Sequence, residues 1–152
     1  MSTFDYSSLR KIPDGNEKNV KGSLKGTIKN LDAEKEFPLE AHYFHRTNRH
    51  PIITIGGKDP EHAHTSDYFL QIIMDDREPA TGTYKVGESG WKGCIYYRDI
   101  HEREHSAVSG WLELKNFQSI KRLEGELHVF ASYHEIENYE IDVQFSIQGV
   151  NS

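Results

Sequence analysis

The feature that most constrains the fold is a strict two-residue alternation near the end of the sequence. Because successive side chains of a β-strand point to opposite faces of a sheet, this period predicts a half-buried strand. No window of the sequence shows a helical stripe of any length, so the chain is predicted to be all-β. The apolar positions are Tyr139, Ile141, Val143, Phe145 and Ile147, and the polar ones between them are Glu140, Asp142, Gln144 and Ser146.

The same period recurs along most of the chain and defines a single domain. Residues 1–19 lack it and are predicted to be an N-terminal arm, whereas residues 20–149 form the domain. Short connections near 118–119 and 135–138 favour antiparallel pairing of the last three strands with their sequence neighbours. We expect an antiparallel β-sandwich or an up-and-down, lipocalin-like barrel of eight or nine strands, with little helix. The predicted strands are 20–29, 37–43, 52–55, 67–74, 82–86, 93–98, 108–114, 123–131 and 139–148.

Composition excludes several classes of partner. The 152 residues carry 24 acidic and 18 basic side chains, a net charge of −6, and the basic residues are spread along the chain. Nucleic acid and anionic membranes are therefore not expected as partners. Cys94 is the only cysteine, so no intrachain disulfide can form. The first ten residues do not resemble a secretory signal and no apolar run is long enough to span a membrane, which predicts a cytoplasmic protein.

The stretch His101-Glu-Arg-Glu-His105 matches the zinc-hydrolase signature H-E-x-x-H. That motif requires a helix, which brings residues i and i+4 to one face so that both imidazoles reach one ion. One strand-like segment ends at Arg98 and the next begins at Val108. The connection between them therefore has eight or nine residues, enough for at most about two helical turns. We therefore predict that His101 to His105 is a solvent-exposed connection that binds no catalytic metal.

A second candidate metal pair is His62-Ala-His64. Two imidazoles at this spacing point the same way on a strand, as in the first motif of cupin barrels. The glutamate that the cupin motif places four or five residues later is absent, because Tyr68 and Phe69 stand there. The flanking residues are those of a loop, and we expect no metal and no other cofactor. A zinc or other divalent ion at His62 and His64 or at His101 and His105 is the alternative, and would make the protein a metal-dependent enzyme.

Aromatic side chains in the second half are the remaining candidates for a site. Trp111 and Phe130 have the opposite parity to the aliphatic residues of their strands, and are therefore expected on the outer face. Together with Tyr96 or Tyr97 they would form a ligand-binding patch. This patch could be covered by a small molecule, by the N-terminal arm or by a protein partner. For an acidic single-domain chain, a homodimer is the most common of these.

The layout of glycines and aromatics in the same half resembles that of small bacterial all-β proteins without assigned activity. The resemblance implies an all-β fold and supplies no catalytic residues. The sequence thus favours a non-catalytic ligand-binding or protein-interaction module over an enzyme. The segments that carry it are Gly82 to Tyr84, Tyr96 and Tyr97, Ser109 to Leu114, and Leu123 to Val129.

Overall fold

The alternating segments form ten strands in a computed structural model that describes residues 20–47, 52–58, 67–76, 78–98, 103–133 and 137–150. The 3₁₀ turn Gln118–Ile120 joins β8 to β9, and the remaining described connections are turns and bends. The strands are β1 (Lys21–Asn30), β2 (Lys35–Leu39), β3 (Ala41–Thr47), β4 (Ile52–Lys58), β5 (Asp67–Met74), β6 (Gly82–Val86), β7 (Gly93–Arg98), β8 (Glu104–Phe117), β9 (Arg122–Tyr133) and β10 (Glu137–Gln148). The prediction of an all-β fold is confirmed.

All ten strands belong to one antiparallel sheet in the order β2-β1-β10-β9-β8-β7-β5-β4-β3. The predicted antiparallel neighbours β8, β9 and β10 are adjacent in this order. Strand β6 lies off the path and pairs only with β8, along Gly110 to Leu114, whereas β7 pairs with β8 along Glu104 to Ser106. One edge of β8 is therefore shared between two strands.

The sheet curls until its two outer strands meet, but the ladder does not close. Strands β2 and β3 stand at opposite ends of the strand order, yet Glu40 alone separates them in the sequence. The predicted single strand 37–43 is thus two strands, which is why the structure has ten rather than eight or nine. Across the open seam the ring of Phe44 on β3 lies against Gly22 on β1, where any side chain would collide with it. The sheet encloses its core without the continuous hydrogen bonding of a barrel.

The core is one cluster on the inner face of this curled sheet. Every inward position predicted for β9 and β10 is buried, because the alternation in both strands is unbroken. Gly125 also faces inward, and its missing side chain leaves room for the ring of Phe145. The fully buried members include Ile28, Ile55, Leu70, Ile72, Leu112, Leu114, Leu127 and Ile141.

A polar network ties the segment before β6 to β3 and β8. The Asn116 side-chain amide donates hydrogen bonds to the Glu78 carboxylate and to the Pro79 carbonyl, each at 2.9 Å. Arg46 is buried and reaches the same Glu78 oxygen at 3.4 Å. Burial lowers the pKa of Arg46 and Glu78 opposes that shift. Within the described residues, no helix is long and apolar enough to cross a membrane.

Candidate functional site

A β-bulge in β8 decides which aromatic residues lie inside the sheet and which outside. Ala107 pairs with Ala131 and Ser109 pairs with Phe130, so Val108 is an extra residue on β8 with no counterpart on β9. An unmatched residue shifts the alternation by one position. Val108, expected on the inner face with Leu112, is consequently 59% exposed. After the bulge the even-numbered residues, such as Leu112, point to the inner face, whereas before it the odd-numbered ones do.

The prediction that His101 to His105 is entirely a solvent-exposed connection is wrong at His105. Strand β8 begins at Glu104, and the bulge brings His105 to the inner face, where it is 0% exposed. His105 lies among Tyr97, Tyr133 and Tyr139, with ring centroids 5.6, 5.7 and 4.8 Å away. Its Nδ1 is 3.3 Å from the Tyr97 carbonyl oxygen, so the tautomer protonated at Nδ1 donates a hydrogen bond there. These residues form the inner tyrosine cluster.

The structure describes one of the four candidate metal ligands, His105. His62, His64 and His101 lie outside the described residues. The rings that the structure places around His105 are the phenols of Tyr97, Tyr133 and Tyr139. Across the described ranges, no three His, Cys, Asp or Glu side chains are grouped so that they could hold a metal ion.

Tyr97 does not belong to the outer patch. It is 3% exposed and stacks between Tyr68 and Tyr139 in the core, at 5.9 and 5.3 Å between ring centroids. Tyr97 pairs with His105, so both side chains point inward, and its neighbour Tyr96 points outward opposite Ser106. Tyr96 is half-buried and lies on β7, on the far side of the bulge from Trp111.

The outer face carries a row of three aromatic rings. Trp111 on β8 and Phe130 on β9 are 38% and 37% exposed, on the face where the alternation had predicted them. His128 lies between them, with ring centroids 5.9 Å from Trp111 and 5.7 Å from Phe130. We call Trp111, His128 and Phe130 the outer aromatic row. His128 was missed as a member of this site, although its parity is that of Phe130 and opposite to that of Leu127.

Carboxylates border the outer aromatic row. His128 Nε2 lies 3.4 Å from Glu140 Oε1, and its Nδ1 lies 4.0 Å from Asp142 Oδ2. Both partners come from β10, where they occupy the polar positions of the alternation. The ring is thus held from the β10 side, and Trp111 and Phe130, which contact it, each keep more than a third of their surface exposed.

A shallow hollow of about 220 Å³ adjoins this row. Glu113 and Glu126 form its wall, and they are direct cross-strand partners two residues beyond Trp111 and two before His128. Gln144 donates a hydrogen bond from Nε2 to Glu126 Oε1 at 3.3 Å. Lys115 and Glu124 complete the polar lining. The outer site therefore joins a flat aromatic surface to a hydrogen-bonding, mainly acidic depression.

Comparison with known proteins gives no relative from which a role could be transferred. No protein-family model matches the chain, and neither a curated protein nor a solved structure matches it.

Proposed function

We propose that this protein is a non-catalytic interaction module that contacts its partner through the outer aromatic row. The observation that supports this proposal is the pair of large rings, Trp111 and Phe130, held side by side by His128 on a rigid sheet. Solvent-exposed rings leave apolar surface in contact with water at a cost of roughly 25 cal/mol per Å². A cluster of such rings is typical of surfaces that are covered by a partner.

The surroundings of the row support contact rather than catalysis. His128 is bordered by two carboxylates on a solvent-facing sheet, and the side chains near it are carboxylates, an amide and a lysine. These groups give hydrogen bonds and charge to a partner. Since β9 pairs with β10 without interruption and with β8 on both sides of the bulge, the row is pre-organised and loses little conformational entropy on binding.

The proposal is tested by placing a photo-reactive group on the row. Substituting p-benzoylphenylalanine for Trp111, and irradiating the producing cells, is expected to give a discrete cross-linked species. The same residue at Ile120, an exposed apolar position on the 3₁₀ turn, is expected to give none and serves as the matched control.

The cross-linked partner is then purified and titrated. We expect Trp111→Ala with Phe130→Ser to weaken its binding at least about tenfold, while Ile120→Ser leaves it unchanged. Cross-linking at both positions or at neither would contradict the proposal. So would unfolding of Trp111→Ala and of Phe130→Ser as separate single variants, because it would assign these rings to the core.

A further inference from the structure

The outer face contains an unfavourable charge arrangement within one copy of the chain. Glu113 and Glu126 are directly opposite each other on β8 and β9, and like charges at such positions destabilise a sheet. Glu126 accepts a hydrogen bond from Gln144, but Glu113 has no ion-pair partner among the described residues. A cation placed above Glu113 would relieve the repulsion.

The same cross-strand row carries its own complement at the other end. Register places Lys25, Gln144, Glu126 and Glu113 side by side, on β1, β10, β9 and β8. Rotation by 180° about an axis that lies over the face, between β9 and β10 and parallel to them, reverses this order. In a copy related by that axis, Lys25 lies over Glu113 and Gln144 lies over Glu126. The row is therefore complementary to itself.

The next set of cross-strand neighbours is also complementary to itself under this rotation. It contains Thr27, Asp142, His128 and Trp111, again on β1, β10, β9 and β8. Reversal places Asp142 over His128 and Thr27 over Trp111, so each copy covers part of the aromatic row of the other. In the three remaining sets of cross-strand neighbours, which begin at Lys29, Ser23 and Lys21 of β1, the rotation places no like charges of the two copies over each other.

The size of the face suits a stable contact. Four strands about 4.8 Å apart and ten residues long, at about 3.3 Å each, cover roughly 600 Å². Counted on both copies this is about 1,200 Å², the lower end of the range for specific interfaces, and β2 and β6 are left out because the sheet curls away on either side. The net charge of −6 opposes association at long range. At physiological salt that repulsion is screened beyond about 8 Å, so local pairing decides.

We propose that a second copy of the chain is the partner of this face, and that the two sheets pack with Lys25 of each copy against Glu113 of the other. This inference rests on the proposed function, whose contact surface it assigns to a homodimer. Each copy supplies both halves of the contact, so the interface is isologous and closes at two subunits.

Charge reversal tests the pairing. Sedimentation equilibrium of the wild-type chain is expected to show a monomer–dimer equilibrium. Lys25→Glu and Glu113→Lys are each expected to raise the dissociation constant at least about tenfold, because either change places like charges together twice in the dimer. An equimolar mixture of the two variants restores both contacts, as does the double variant. In both cases we expect a dissociation constant within about threefold of the wild-type value.

Lys21→Glu, on the same strand but outside the proposed pairing, is the matched control, and urea unfolding checks that every variant folds. A wild-type chain that stays monomeric, or a dimer indifferent to both reversals, overturns the homodimer. Failure of the proposed function itself gives a different result, namely no cross-link at Trp111. A cross-link at Trp111 to a different macromolecule would leave the interaction surface in place and refute only its assignment to a second copy.

Discussion

Two histidines on β8 and β9 each lie among aromatic rings, and the two clusters face opposite sides of one sheet. His105 is enclosed by tyrosines of three other strands and is out of contact with water. His128 is half-buried between Trp111 and Phe130, with carboxylates beside it. Similar residue types therefore build part of the core in one place and a solvent-exposed aromatic surface in the other. The difference lies in the face of the sheet to which each histidine points and not in the chemistry of the side chains.

The largest expected difference between the two clusters comes from removing each histidine in turn. His105→Ala leaves a cavity among Tyr97, Tyr133 and Tyr139 and should lower the free energy of unfolding by about 3 kcal/mol. His128→Ala, the matched control, removes a ring that borders solvent and should cost less than about 1 kcal/mol. Urea denaturation followed by circular dichroism measures both. Equal losses at the two positions would remove the distinction between the clusters.

A smaller effect is expected at Tyr68, whose ring centroid lies 5.9 Å from that of Tyr97 at the border of the inner tyrosine cluster. Its hydroxyl group is buried and has no hydrogen-bond partner in the ranges that the structure describes. Tyr68→Phe removes this unsatisfied group and should leave the free energy of unfolding unchanged or raise it by up to about 1 kcal/mol. A loss of more than about 1 kcal/mol would show that the hydroxyl is hydrogen-bonded.

The same variant has a signature at alkaline pH. Burial, with a smaller effect from Glu40, raises the pKa of Tyr68 above its ordinary value of 10.0. The neutral phenol thus stabilises the fold fully below pH 10, and this contribution falls as pH rises toward the folded pKa, because the unfolded chain ionises first. Between pH 10 and pH 11 the wild-type chain should lose more stability than Tyr68→Phe. Parallel curves would contradict burial of this phenol.

The smallest expected effect tests the bulge that separates the clusters. Val108→Asp should cost at most about 0.5 kcal/mol, because the bulge turns this side chain toward solvent. Leu112→Asp, four residues further along the same strand and fully buried, should cost more than about 3 kcal/mol or prevent folding. Comparable losses at Val108 and Leu112 would mean that β8 keeps one uninterrupted alternation.

Sequence alone predicted those parts of the fold in which alternation is unbroken. Strands β9 and β10 follow the predicted parity throughout, and this parity correctly placed Trp111 and Phe130 on the outer face. It failed at Val108, because a bulge changes the face of every residue on one side of it and has no signature in the pattern of apolar residues. His105 was assigned to a connection because the strand was predicted to begin at Val108, whereas β8 begins at Glu104. Tyr97 was assigned to the patch because both members of the Tyr96-Tyr97 pair were considered, and only pairing with β8 decides which one points inward.

Longer-range features could not be predicted from alternation. The pattern of 37–43 is continuous, so nothing in it marks Glu40 as the point where the chain passes from one edge of the sheet to the other. The close approach of Gly57 to the Glu40 carbonyl allows that crossing, but Gly56-Gly57 indicates only the end of a strand when read alone. The outer site was predicted in part, since Trp111 and Phe130 were named whereas His128 and its carboxylates come together only through the β9–β10 register.

The pairing of β1 with β10 has a consequence for the order of folding. Lys21 lies opposite Gln148, so the ladder between β1 and β10, next to the β2 edge of the sheet, joins the two ends of the described chain. The hairpins of β8, β9 and β10 need only local loops, whereas β1 has to wait for β10, and such distant contacts make folding slow. During synthesis, at roughly 5–20 residues per second, β1 can pair with β2 at once, but its other edge stays open until β10 has emerged. The Lys21, Lys25 and Lys29 side chains then serve a second purpose, because charged residues on a waiting strand discourage premature pairing with other chains.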